Sequence, residues 1–328
     1  VRAAITGASG FIGQVLAQEC TGAGCCVLGL DIREPKDDFA GAAFELCDVR
    51  DAESLSDFIM RFQPDKIFHL AAQSYPTVSL RHPRETIDTN VLGTVNVFEC
   101  LRTSGKPAVV VVACSSAEYG PVMAADLPIR EDHALNPLHP YGVSKVAQDL
   151  LAAQYFVNYS IPTVRIRIFN TTGPGKLGDV CSDLTRRAVE IELGIRERSL
   201  PVGNLTSRRS LVDVRDMARA LRMAADCCEA GDVYNVGGKA VYSVQEVIDV
   251  MSPHVRADFS LERKEALSRH CDEPVIAGDN SKFQDRCAWE PEIDLTRTLR
   301  DMLDWWRIRF ESNRVPPEGA ADARVAPA

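Results

Sequence analysis

Tyr141-Gly-Val-Ser-Lys145 places a phenol and an ammonium four residues apart, on one face of any helix that carries them. A tyrosine with a reference pKa near ~10 exchanges a proton poorly at neutral pH. A lysine on the same face would stabilise the phenolate and lower that value. Ser115 follows the apolar run Val109–Ala113, where its hydroxyl could hydrogen-bond a substrate oxygen. Together the three suit proton transfer to or from a carbinol or ketone. Each alone reads equally well as something plainer: a buried helix tyrosine, a strand-end cap, a solvated lysine.

A glycine loop a whole domain's length earlier changes that balance. In Thr6-Gly-Ala-Ser-Gly-Phe-Ile-Gly13 the glycines Gly7, Gly10 and Gly13 fall between a strand pattern and a helix pattern. The first permits a tight turn, the second lets backbone amides approach a pyrophosphate, and the third admits close helix–strand packing. Phe11 and Ile12 belong to the same loop. Asp31 ends the second strand pattern 18 residues after Gly13, near the ~20 expected of a ribose-binding acid. A carboxylate there accepts from both ribose hydroxyls and repels a 2′-phosphate, so NAD is favoured. Arg33 leaves NADP open, because a guanidinium two residues on could pair with that phosphate. Asp48 is placed to meet the adenine edge, or simply to cap a helix.

The elements that must position these groups read as a βαβ array. Strands are expected at Arg2–Thr6, Cys26–Asp31, Ala43–Leu46, Lys66–Ala71, Ala108–Cys114 and Thr163–Phe169. Helices are expected at Gly10–Thr21, Ala52–Phe62 (begun by Asp51), Arg84–Ser104 and Tyr141–Tyr159. The unbroken valines after Ala108 suit a parallel strand buried on both faces. Beyond Asn170 the segments shorten and gain arginine. The expected division is a dinucleotide-binding domain over 1–168, rejoined by a segment near 210–238, and a smaller lobe mainly over 169–313. A last amphipathic helix, Leu295–Phe310, carries Trp305 and Trp306, and 314–328 is expected to be disordered.

Composition narrows the classes. The chain has 328 residues, 45% hydrophobic and 25% charged, as in soluble globular enzymes. No apolar run approaches the ~20 residues of a membrane span. Val1-Arg-Ala-Ala-Ile-Thr reads directly as a strand, so no signal peptide and a cytoplasmic location are expected. A net charge of −9 without a basic run excludes nucleic acid as a natural partner. Eleven cysteines, none in C-x-x-C, read as reduced core thiols. Six histidines without ligand spacing give no metal site.

These motifs resemble the extended short-chain dehydrogenases/reductases that modify nucleotide sugars. The signatures are the glycine loop, His69-Leu-Ala-Ala72, Thr89-Asn90 with Gly93-Thr94, Ser115-Ser116, Tyr119-Gly120 and Pro140-Tyr-Gly-Val-Ser-Lys145. The resemblance runs from Arg2 to about Arg307. It implies an α/β fold, a doubly wound parallel (Rossmann) sheet with a smaller C-terminal α/β lobe gripping a sugar nucleotide. It also implies a Ser115/Tyr141/Lys145 triad, and cofactor contacts from Val49, Leu70, Ala71, Ala72, Asn90 and Lys145. Substrate contacts fall to Ser116, Asn170, Arg209 and Arg269, and the helices 84–104 and 141–159 would pair in a homodimer.

Phe169-Asn-Thr-Thr-Gly-Pro-Gly175, Val202-Gly-Asn-Leu205 with Arg209, and Gly278-Asp-Asn280 look most like the branch acting on GDP sugars. At Ala117, however, 4,6-dehydratases carry a glutamate that removes the C5 proton; the GDP-keto-sugar reductases commonly show glutamate there too, and alanine is familiar in some 4-epimerases. Glu118 next door should point the other way if the segment is a strand. Three readings follow: reduction of the C4 ketone of a GDP-4-keto-6-deoxyhexose; dehydration or 4-epimerisation with retained NAD; and a non-catalytic dinucleotide-binding module, which the complete triad argues against.

Overall fold

The computed structural model describes residues 1–35, 39, 41–267, 275–312 and 315. Arg269 and most of the 314–328 tail lie outside them. Seven strands form one parallel sheet: β1 (Arg2–Thr6), β2 (Cys26–Asp31), β3 (Ala43–Leu46), β4 (Lys66–His69), β5 (Val109–Ser115), β6 (Thr163–Ile168) and, from later in the chain, Val233–Val236. Their order is β3-β2-β1-β4-β5-β6 with Val233–Val236 outermost beside β6. The direction of winding reverses between β1 and β4. That is where an open α/β sheet leaves a crevice at the carboxyl ends of its strands.

Helices cover both faces. On one side α1 (Phe11–Gly22) packs against Val214–Cys227, with Leu16, Met217, Leu221 and Trp289 fully buried between them and the sheet. On the other, α2 (Ala52–Phe62) is started by Asp51, whose carboxylate accepts Ser54 N–H at 3.1 Å. It shares the core under β4 and β5 with Phe98, Leu101 and Tyr155. Val110, Val111 and Val112 of β5 have no solvent exposure, as a strand covered on both faces requires. Smaller sheets and the helices Val180–Glu192, Val244–Met251 and Leu295–Glu311 build the C-terminal part around Leu299, Leu303 and Trp306.

Two sequence expectations need correction. The run 84–104 is not one α-helix: α3 (Pro76–Arg81) precedes it, and α4 (Pro83–Ile87) leads through a π turn at Asp88–Leu92 into α5 (Gly93–Ser104). The π turn holds Asn90 and delivers Gly93 to Val49, where an added Cβ would lie 2.7 Å from the valine Cγ2. The cysteines are not all reduced, since Cys227 and Cys287 form a disulfide across 60 residues. Eight others among the described residues are free thiols.

Candidate active site

A cleft of about 970 Å³ opens along the carboxyl edge of the sheet, at the upper end of the range for small-molecule sites. Its floor is the glycine loop. A Cβ at Gly7 would meet Ala71 N at 2.7 Å, and one at Gly13 would meet Gly7 O at 2.2 Å, so the loop and β4 approach at backbone distance. Helix α1 starts at Phe11 with Gly10 as its cap and no side chain bonding its first amides. Those amides lie at the cleft, a ready site for a phosphate. The residues present therefore fit a dinucleotide.

At one end, Asp31 accepts Ser9 N–H at 3.0 Å and Arg33 N–H at 3.3 Å, which fixes its carboxylate against the loop. Burial pushes its pKa up against those two bonds. Asp48 also lines the cleft, tied to Arg50 at 2.6 Å. Burial opposes its ionisation, but Arg50 outweighs it and holds the carboxyl below its usual range. Arg33, Val49, Leu70, Ala71 and Ala72 line the same wall. Asn90 does not. It is buried behind the wall, accepting Gln73 N–H at 2.7 Å and donating to Ser144 Oγ at 2.8 Å.

Further along, the cleft brings together Ser115, Ser116, Tyr141 and Lys145. The helix α6 (Pro140–Tyr159) opens with Pro140 and a His139 cap whose Nδ1 accepts Gly142 N–H at 3.0 Å, and this sets Tyr141 in the first turn. Lys145 is one turn on, its Nζ 5.8 Å from the Tyr141 ring centre and donating to Ala113 O at 2.7 Å. Burial lowers the Lys145 pKa to about 8. Burial also raises Tyr141 to about 12, opposed by a hydrogen bond with the Ser115 side chain. The expectation that Lys145 would bring the phenol down is thus not met: desolvation exceeds the Ser115 hydrogen bond that favours the phenolate.

Ser115 ends β5 and caps a single 3-10 turn, Ser116–Glu118. The segment is therefore not a strand, and the alternation argument for Glu118 fails. Glu118 faces inward for another reason: its carboxylate accepts Ser115 N–H at 2.7 Å and is fully buried beneath the cleft. Cys114, Glu118 and Asp149 cluster there with metal-ligand chemistry. Asp149, though, is already bonded by Arg165 at 2.6 Å and Arg167 at 2.9 Å.

At the far end the cleft is lined by Asn170, Lys176, Arg215, Trp305 and Arg309. Asn170 Nδ2 is buried with no hydrogen-bond partner. Arg209 does not line the cleft; it lies in the short strand Arg208–Ser210 and donates to Arg208 O at 2.8 Å. Lys176, Trp305 and Arg309 were missed from sequence, although Lys176 directly follows the Gly173-Pro-Gly175 break. Arg309 lies one helical turn from Trp305 and stacks on its ring at 4.9 Å.

The family model described as GDP-mannose 4,6 dehydratase matches residues 4–302. The chain belongs to this family. Within it, the GDP-6-deoxy-D-mannose reductase of Pseudomonas aeruginosa is 30% identical over 263 residues, covering 80% of this chain and 86% of the relative. The structure of RMD from P. aeruginosa complexed with NADPH superposes with a TM-score of 0.83 at 28% identity, over 94% of this chain and 99% of that one. The UDP-glucose 4-epimerase of Thermus thermophilus, solved with NAD, is similar to nearly the same degree: TM-score 0.81, 25% identity, 94% and 99% covered. The chain is an enzyme of the nucleotide-sugar-modifying short-chain dehydrogenase/reductase class. Among the described residues no helix is long and apolar enough to cross a membrane.

Proposed function

We propose that the protein reduces the C4 ketone of a GDP-4-keto-6-deoxyhexose. The bound dinucleotide would supply the hydride. Tyr141 donates its proton to the carbonyl oxygen as charge builds there, Ser115 Oγ hydrogen-bonds the same oxygen, and Lys145 offsets the developing phenolate. Asn170, with its spare buried amide, and Lys176 hold the nucleotide part of the substrate. The observation that carries this reading is the lack of a base beside the triad. Ala117 offers a methyl group, Glu118 is fully buried and does not line the cleft, and the cleft's carboxylates are Asp31, Glu34, Asp48 and Glu85 among the described residues. Asp31, Glu34 and Asp48 follow β2 and β3, at the glycine-loop end. A β-elimination thus lacks the carboxylate at position 117 that would accept the C5 proton.

Asp31 supports NAD as cofactor, and the same residue favours a second reading, 4-epimerisation with NAD retained. The two are told apart by incubating the protein with GDP-4-keto-6-deoxymannose and NADH or NADPH, and separately with UDP-glucose alone. Consumption of the keto sugar with stoichiometric loss of reduced cofactor is expected. Formation of UDP-galactose without added cofactor would replace this reading by the second, and release of keto sugar from GDP-mannose would overturn both. We also propose a homodimer through α6, whose Val143, Leu150 and Val157 recur every seventh residue at 47%, 57% and 76% exposure.

A further inference from the structure

Glu118 has no solvent exposure, and its two oxygens are treated differently. Oε1 accepts the Ser115 N–H at 2.7 Å, completing a capping box for the 3-10 turn. Oε2 makes no hydrogen bond and lies 3.4 Å from Arg167 Nε. That guanidinium is largely engaged elsewhere: Nε with Asp149 at 2.9 Å, and Nη1 with Tyr119 Oη and Glu131 O, each at 2.9 Å. A capping box alone is no reason to bury an acid next to a second buried acid, because desolvating a carboxylate costs more than the cap returns. The position of the group offers another reason. Facing it are Cys114 from β5, Tyr141, Lys145 and Asp149 from α6, Arg167 from β6, and Tyr119 next in the chain.

We propose that Glu118 is a positioning residue for the triad: its carboxyl group fixes Ser115 through the backbone and, once ionised, supplies a negative charge behind Tyr141 and Lys145. The inference rests on the proposed role of those three residues. A charge at this place favours the protonated forms of both Tyr141 and Lys145. Burial, then Asp149, raise the pKa of Glu118, while burial lowers that of Lys145, so the two ionisations draw together. As the medium becomes alkaline, the new charge on Glu118 opposes loss of the protons that reduction needs. Activity then survives to higher pH than the same triad would sustain above a neutral floor.

Glu118→Gln separates charge from shape, since the amide oxygen can still accept Ser115 N–H. The alkaline limb of kcat/KM is expected to fall by roughly one pH unit in this variant. Glu118→Ala, which also removes the clamp, should add a loss in kcat with little change in KM. If Glu118→Ala does not fold, the glutamine variant carries the test alone. A limb that stays in place in folded Glu118→Gln overturns the proposal, because a purely structural role changes amplitude only. Ultraviolet titration of tyrosinate, taken as the difference between each protein and its Tyr141→Phe counterpart, checks the same shift without any substrate. An unchanged Tyr141 titration in Glu118→Gln refutes the charge role. A Tyr141→Phe enzyme with full activity instead refutes the triad assignment, a separate failure.

Discussion

His69 should make this protein acid-sensitive, and the size of the effect can be worked out. The ring is buried between two threonines, Nδ1 2.8 Å from Thr6 Oγ1 and Nε2 2.8 Å from Thr94 Oγ1. Thr94 gives its hydroxyl proton to Asn90 O at 2.6 Å, so Nε2 must be the donor to Thr94. Thr6 Oγ1 accepts Ala71 N–H at 3.3 Å and is left to donate to Nδ1. These bonds favour a neutral Nε2–H ring. Burial, and then the Lys145 charge, lower its pKa from 6.5 to about 3. The folded state refuses a proton that the unfolded chain accepts, so stability is intact above pH 6.5 and falls as pH drops towards 3. At pH 5 the loss from this one group is about 2 kcal/mol, a large share of a typical ~5–15 kcal/mol. Urea unfolding of wild type and His69→Gln at pH 7.5 and pH 5 measures it. The wild type should lose about 2 kcal/mol more than the variant on acidification. Equal losses would refute the linkage.

Gly13→Ala puts a Cβ 2.2 Å from Gly7 O and 2.8 Å from Ala8 Cα, so the loop must shift. A stability loss of about 1–3 kcal/mol and dinucleotide affinity weakened by roughly tenfold or more are expected, read by thermal unfolding and calorimetry. Asp31→Ala removes a charged acceptor at the ribose end and should cost about 10- to 100-fold in NAD affinity with little change for NADP, seen in parallel titrations. Tyr141→Phe should lower kcat by about a hundredfold or more while leaving NAD binding nearly unchanged; equal turnover would remove Tyr141 from the chemistry. Leu150→Glu, placed in the middle of the exposed α6 stripe, should shift the protein to monomer in sedimentation velocity without lowering its melting temperature.

The sheet was legible because its strands announce themselves: Val110–Val112 is buried on both faces, and Asp51 and Gly105 mark helix ends by side chain and by left-handed backbone. The glycine loop was legible because backbone approach leaves room for nothing but glycine. Asn90 was harder. Its motif is visible, but only the π turn shows that its amide braces Gln73 and Ser144 instead of reaching the cleft. The Cys227–Cys287 pairing spans 60 residues and carries no local signal. The far end of the cleft was the least legible, because Lys176, Arg215 and Arg309 come from three separate segments that only the fold assembles.

Ala117 and Glu118 show how a one-residue register decides chemistry. Both sit in the same 3-10 turn, and by the motif resemblance it is Ala117 that stands at the position of the dehydratase base. Moving the carboxylate one residue along does not move it across the cleft. It rotates by about a third of a turn, to the side facing β6 and α6, where Arg167 and Asp149 lie. There it can hold Ser115 and bias two protons, but it cannot take one from a sugar carbon. Ala117→Glu places a carboxylate at the position of the dehydratase glutamate in the resembling motif, and with Glu118 kept it tests whether register alone withholds elimination. Release of 4-keto-6-deoxy product from GDP-mannose by this variant, and not by the wild type, is the expected outcome. A variant that binds GDP-mannose and NAD yet forms no keto product would show that substrate placement, not the missing base, keeps this site from dehydrating.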